Sequence, residues 1–110
     1  MIWKDVIGYE GLYTVSDTGL VRSVKTGKLM SPFLHKGKWL KVTLYKEGTK
    51  RHWRVHRLVA IAFIPNPDNK PEVNHISLDK ADNSVANLEW TTGEENRWHY
   101  INYVHSTKHT

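Results

Sequence analysis

VNHISLDKADNSVANLEW, residues Val73 to Trp90, decides how this chain is read. Its apolar positions, Val73, Ile76, Val85, Leu88 and Trp90, bracket a polar segment, the pattern of two strands joined by a loop. Asn74 and His75 close the first strand, and Asn83 and Asn87 follow within the loop and its exit. Neighbours in a regular strand point to opposite faces. Asn74 and His75 can therefore serve one ligand only if the strand ends or kinks at His75 and the loop from Ser77 to Ser84 carries the backbone away.

Working outward, Thr92 and Glu95 have capping-box spacing, which predicts a helix from about Gly93. Asn96 then falls in its first turn. Asn96, His99, Tyr100 and Tyr103 share one face, while Trp98 and Ile101 lie on the other side and are expected to pack inward. The polar tail from His105 is expected to fray, and the His105 and His109 pair within it reads as incidental.

Upstream, Val55, Leu58, Val59 and Ala62 recur at helical spacing, so His56 to Phe63 reads as a short helix ended by Pro65 and Pro67. Residues 1–55 read as β. Tyr13 to Ser16 and Leu20 to Val24 flank the turn Asp17-Thr18-Gly19, and Trp39 to Tyr45 pairs with Arg51 to Val55. In the longer strand Leu40, Val42 and Leu44 share one face, and Trp39, Lys41, Thr43 and Tyr45 the other. The fold class expected is α+β, an antiparallel β region followed by strand, loop, strand and helix.

Sixteen Lys and Arg against eleven Asp and Glu give a formal charge of +5. The excess is concentrated in residues 22–57, where Arg22, Lys25, Lys28, Lys36, Lys38, Lys41, Lys46, Lys50, Arg51, Arg54 and Arg57 face one acid, Glu47. Such a block favours a polyanion, because neutralised phosphates release counterions; it also reads as a solvated basic face. No cysteine is present, which excludes disulfides, thiolate nucleophiles and Cys-ligated zinc. No segment approaches the ~20 apolar residues of a membrane span. The start, MIWKDVIGYEG, lacks the pattern of a secretory signal, so no membrane association or export is expected.

Asn74, His75 and Asn96 together suit a hard divalent cation. Mg²⁺ takes oxygen ligands, and its protein sites often lean on substrate phosphate. Asn carbonyls supply such oxygens more weakly than carboxylates. A neutral His75, with an ordinary pKa of ~6.5, could accept a proton from water. The same residues also read as turn and edge chemistry, with Asn87 tying down the loop.

A broader set of residues resembles a known family. Val55-His56-Arg57-Leu58-Val59-Ala60, Phe63 to Pro67, Val73-Asn74-His75-Ile76, Asn83, Asn87-Leu88-Glu89-Trp90 and Glu95-Asn96 resemble the HNH endonucleases, in particular the intron-associated homing type found in phages. Trp3 to Ser16 and Gly19 to Ser23 resemble the nuclease-associated modular motif that precedes that domain. The resemblance implies a ββα-metal fold and a metal-dependent endonuclease that hydrolyses DNA phosphodiester bonds with one Mg²⁺ or Mn²⁺. It implies His75 as general base, Asn74 and Asn96 as metal ligands, and Asn87 as the residue fixing the loop and the orientation of His75. His99 and Arg57 are candidate phosphate contacts. Arg22, Lys25, Lys28, Lys36, Lys38, Lys41, Arg51 and Arg54, with Trp39, Tyr45 and Trp53, are expected to position double-stranded DNA.

The expected division is 1–54 for the β region, 55–105 for the nuclease motif with its preceding helix, and 106–110 for the tail. A monomer that nicks one strand in the cytoplasm of a phage-infected bacterium is the implied setting. Asn74 stands where this branch often has Asp, so metal affinity without DNA should be low. Ser77-Leu78 stands where Asp-Gly is common. Homing relatives usually continue into helical DNA-reading modules, and up to Thr110 none is seen. Specificity is then expected from the basic β region and DNA deformability. Two other functions remain open: a catalytically inactive DNA-binding module on the same fold, and a phage accessory protein acting with other phage proteins.

Overall fold

The turn Asp17-Thr18-Gly19 organises the N-terminal part. A computed structural model of the protein describes residues 1–36 and 38–108, with the side chains of His35 and residues 103–108 left aside. Gly37, in the expected turn from Lys36 to Lys38, and His109 and Thr110 of the expected tail lie outside the described residues. Strands β1 (Trp3–Asp5), β2 (Tyr13–Ser16) and β3 (Val21–Ser23) form one antiparallel sheet. The buried Ser16 hydroxyl closes the β2–β3 turn by accepting Leu20 N at 3.0 Å. Gly19 has φ +93°, a conformation that L side chains rarely adopt.

A second antiparallel sheet joins β4 (Phe33–His35), β5 (Trp39–Lys46) and β6 (Thr49–Arg54). Glu47 and Gly48 both have positive φ, +50° and +76°, so the β5–β6 hairpin turns on two residues whose twist matches its strands. Val42 and Leu44 are buried, as the alternation predicts. Lys41 pairs with Arg54, Thr43 with His52 and Tyr45 with Lys50, which places Trp39, Lys41 and Arg54 on the outer face. Trp53 and Arg51 lie on the opposite face, and Trp53 Nε1 donates to Tyr9 Oη at 3.0 Å. The sequence reading put Trp53 and Arg51 on the DNA-positioning surface with Trp39. The strand register separates them from it.

Helix α1 (Val55–Phe63) follows β6 without a break and presents Val55, Leu58 and Val59 to the core. It ends before Pro65, and Trp90 Nε1 donates to the carbonyl of Ile64 at 2.9 Å. The core is continuous: Val6, Val15, Val42, Leu44, Val55, Leu58, Val59, Val73 and Leu88 come from all three sheets and α1. Burying side chains of this size contributes about 1.5–3 kcal/mol each.

The third sheet is the hairpin of β7 (Glu72–His75) and β8 (Leu88–Thr91). β7 stops at His75. Leu78 N donates to the His75 carbonyl at 2.9 Å and Leu78 has φ +67°, so the chain turns away at once. Before β8 the loop makes a single 3-10 turn, Val85–Asn87. Helix α2 (Gly93–Lys108) opens with the expected capping box: Glu95 N donates to Thr92 Oγ1 at 3.1 Å, and Thr92 N to Glu95 Oε1 at 3.0 Å. The helix runs to Lys108, through most of the tail expected to fray. Trp98 and Ile101 are exposed, 67 % and 53 %, where inward packing was expected. The inner face of α2 is the polar one carrying Asn96 and His99, because α2 packs on β7.

Candidate active site

The end of β7, the start of α2 and the outer edge of the second sheet enclose an open cavity of about 690 Å³. Asn74, His75 and Asn96 all line it, together with Trp39, Arg54, His56, Glu72, Lys80 and Arg97. Asn74 and His75 belong to opposite faces of the ladder, since Asn74 pairs with Glu89 and His75 with Leu88. Both line the cavity, as do Glu72 and Val73 of the same strand, and β7 ends at His75.

His75 is held from two sides. Its Nε2 lies 2.7 Å from Asn83 Oδ1, and both residues are buried. A carbonyl oxygen only accepts, so this contact keeps the proton on Nε2 and leaves the lone pair on Nδ1. The ring stacks on His56, with centroids 4.9 Å apart and planes 17° apart, and His56 lies nearly parallel to Trp39. Burial lowers the His75 pKa, opposed in part by the Asn83 hydrogen bond. Burial also lowers that of His56 to about 3, helped by the nearby charges of His75, Arg54, Arg57 and Lys80. Both rings are therefore neutral at pH 7. A neutral imidazole with a defined tautomer is a competent proton acceptor.

Asn87 serves the loop rather than the ring. Its Oδ1 accepts Ser77 N at 3.0 Å and its Nδ2 donates to the Asp82 carbonyl at 2.9 Å, tying the two ends of the turn together. Asn87 was expected to fix both the loop and the orientation of His75. The hydrogen bond to that ring comes from Asn83, and Asn87 holds the residue preceding Asn83. The N-terminal sheet reaches the same point. Val85 N donates to the Asp17 carbonyl at 2.9 Å, and a Cβ on Gly19 would stand 3.0 Å from the Asn83 carbonyl oxygen.

The two candidate phosphate contacts are engaged elsewhere. His99 Nε2 donates to the Ile76 carbonyl at 2.9 Å, pinning α2 to the end of β7. Arg57 Nη1 donates to the Pro71 carbonyl at 2.8 Å, and its guanidinium lies over Trp90. Of the cationic set, Arg54 lies over Trp39 at 4.1 Å from the ring centre and reaches the cavity. Lys41 is beside it on the outer face, with Lys36 and Lys38 at the adjoining turn. Arg22 covers Trp3 in the first sheet, Lys25 and Lys28 follow on the next loop, and Arg51 covers Trp53.

Lys80 was not singled out from the sequence, yet it lies 5.1 Å from the Trp39 ring centre at the cavity mouth. Among the described residues no group of three or more His, Cys, Asp or Glu could hold a metal ion. The residues that fit a divalent cation are the asparagines. Asn74 Nδ2 donates to Glu89 Oε1 at 2.9 Å, which leaves Oδ1 as the atom able to ligate, and Asn96 supplies a second amide oxygen in the same cavity. Two neutral oxygens make a weak site that a phosphate would complete.

A buried neutral histidine at the end of a hairpin strand, sharing a cavity with an asparagine of that strand and one of the following helix, fits the arrangement of a ββα nuclease. Residues 54–97 match the family model described as HNH endonuclease, and residues 1–45 match the NUMOD4 motif. The chain thus carries an HNH endonuclease motif at residues 54–97, with a NUMOD4 motif at residues 1–45 ahead of it. It is similar to the DNA endonuclease I-HmuI of Bacillus phage SP01, 41 % identical over 96 residues that span 87 % of this chain and 55 % of that protein. An uncharacterised HNH endonuclease of Acanthamoeba polyphaga mimivirus is 40 % identical over 99 residues, 90 % of this chain and 29 % of the relative.

The solved structure describing DNA binding and cleavage by the HNH homing endonuclease I-HmuI superimposes with a TM-score of 0.87 at 38 % identity. That match covers 94 % of this chain and 59 % of that one. The chain thus spans little more than half of the I-HmuI chain. The HNH family generally uses a divalent metal. No described helix is long and apolar enough to cross a membrane.

Proposed function

We propose that this protein is a metal-dependent endonuclease that hydrolyses phosphodiester bonds of double-stranded DNA, nicking one strand as a monomer. The observation that carries the reading is His75, a buried neutral imidazole whose proton is fixed on Nε2 by Asn83 and which shares a cavity with Asn74 and Asn96. Its Nδ1 lone pair takes a proton from water. The water oxygen forms the new bond to phosphorus and the bond to the 3′ oxygen breaks, the 3′ oxygen taking a proton from solvent, which gives a 5′-phosphate and a 3′-hydroxyl. Asn74 and Asn96 would hold one Mg²⁺ or Mn²⁺ through their side-chain oxygens. The ion, when bound, stabilises charge on the phosphate and the departing 3′ oxygen.

Arg54, Lys41, Lys36 and Lys38 offer the DNA backbone a cationic face that runs into the cavity beside Trp39, which suits phosphate contacts that position rather than read sequence. Residues 1–54 act as the DNA-positioning part and residues 55–105 as the nuclease part of one unit, inside a phage-infected cell. Similarity to I-HmuI, a DNA endonuclease, supports the substrate class.

Supercoiled plasmid incubated with Mg²⁺, Mn²⁺, Zn²⁺ or EDTA tests the proposal. Nicked circles should accumulate with Mg²⁺ or Mn²⁺ and not with EDTA. Salt-sensitive DNA retention without cleavage under any ion would instead identify an inactive DNA-binding module on the same fold. The neutral residue at position 74 is the feature that favours that second reading.

A further inference from the structure

Position 74 raises a problem of charge. A cation site built on two neutral amides lacks the anionic ligand that divalent ions favour, and no His, Cys, Asp or Glu cluster makes up for it among the described residues. The residue directly across the ladder from Asn74 is Glu89, whose Oε1 accepts Asn74 Nδ2 at 2.9 Å. Asn74 is buried, 4 % exposed, whereas Glu89 is exposed at the sheet edge.

We propose that Glu89 is a positioning residue that makes Asn74 work as a cation ligand. An amide presents oxygen and nitrogen in one plane, and a carboxylate tolerates only the nitrogen. With Nδ2 committed to Glu89, the reversed amide would set an acceptor against an acceptor, so Oδ1 is held on the side away from the carboxylate. A hydrogen bond to a charged acceptor is also stronger than a neutral one, and it polarises the amide so that its oxygen becomes a better electron donor. The pair therefore supplies what a carboxylate at position 74 would supply, one negative charge and one aimed oxygen, divided between two residues. Glu72 also lines the cavity, but its Oε2 lies 2.7 Å from where a Cβ on Gly93 would be, against the start of α2.

This inference rests on the proposed role of Asn74 and Asn96, and the experiment separates the two. The ¹⁵N-labelled full chain, with a short DNA duplex present to supply the phosphate, is titrated with Mg²⁺ and, separately, with trace Mn²⁺, following the side-chain amide of Asn96 in wild type, Glu89→Gln and the swapped pair Asn74→Asp/Glu89→Gln. Loss of an orienting partner typically weakens metal binding about 10–100-fold. Glu89→Gln should need that much more cation for the same shift or broadening. The swapped pair restores one charge and one donor–acceptor contact, so it should bind at least as tightly as wild type.

Equal titrations of wild type and Glu89→Gln would overturn the role of Glu89 and leave the metal site standing. Failure of the swap to recover binding would overturn it too, since the exchange restores both the charge and the donor–acceptor contact. No response of Asn96 in wild type would overturn the metal site itself. The metal-free spectra report whether each variant is folded.

Discussion

Replacing His56 with Phe should remove about 2 kcal/mol of the stability that the protein loses between pH 7 and pH 5. His56 is buried beneath Trp39 and beside His75, and its pKa is lowered from 6.5 to about 3. The unfolded chain takes up a proton near pH 6.5 and the folded chain does not until about pH 3. The contribution is therefore complete above pH 6.5 and is lost as pH falls toward 3, at about 1.4 kcal/mol per pH unit. From pH 7 to pH 5 that amounts to about 2 kcal/mol. Phe keeps a flat ring against His75 and cannot protonate.

Urea unfolding of both proteins at pH 7 and pH 5 gives four free energies, and carboxylate effects common to both cancel in the double difference. A double difference of about 2 kcal/mol, with wild type the more acid-sensitive, is the expected outcome. Equal acid sensitivity would mean that His56 titrates normally, and the packed ring column would be wrong as described.

Three other outcomes follow from the site. Nicking should rise with pH with its midpoint below 6.5, because burial lowers the His75 pKa and the neutral ring is the active form; a midpoint above 6.5 in the pH–rate profile would contradict this. Asn83→Ala should cut the nicking rate about 10-fold or more by freeing the tautomer and tilt of His75, while retention of DNA on a gel stays near wild type. Gly19→Ala should cost about 1–3 kcal/mol in urea unfolding, from backbone strain at φ +93° and crowding of the Asn83 carbonyl. It should lower nicking as well, because the same contact braces the residue that holds His75.

The hairpins, α1 and the capped start of α2 were legible because each depends on local signals: alternation in Leu40, Val42 and Leu44, the helical spacing of Val55, Leu58 and Val59, and the Thr92–Glu95 box. The strand's stop at His75 followed from requiring Asn74 and His75 to share one ligand. What escaped was set by register and by contacts distant in sequence. Trp53 and Arg51 fell on the inner face because the two-residue turn at Glu47-Gly48 fixes their pairing, which composition does not reveal.

Asn83 stood among three asparagines of similar spacing, and only the path of the loop brings it rather than Asn87 to the ring. Only the pairing of β8 with β7 places Glu89 opposite Asn74. The neutrality of His56 comes from burial, with charged neighbours adding to it. Trp98 and Ile101 show the converse error: helical periodicity identifies two faces but not which one meets the fold, and here hydrogen bonds through His99 draw the polar face inward.

The most direct test compares wild type and His75→Ala on supercoiled plasmid with Mg²⁺, with DNA binding measured in parallel. Removing a general base lowers the rate by ~10²–10⁴. The expected result is that loss of nicking with DNA affinity retained. Equal nicking by the two proteins would contradict the assignment of His75 as the base and, with it, the account of this site.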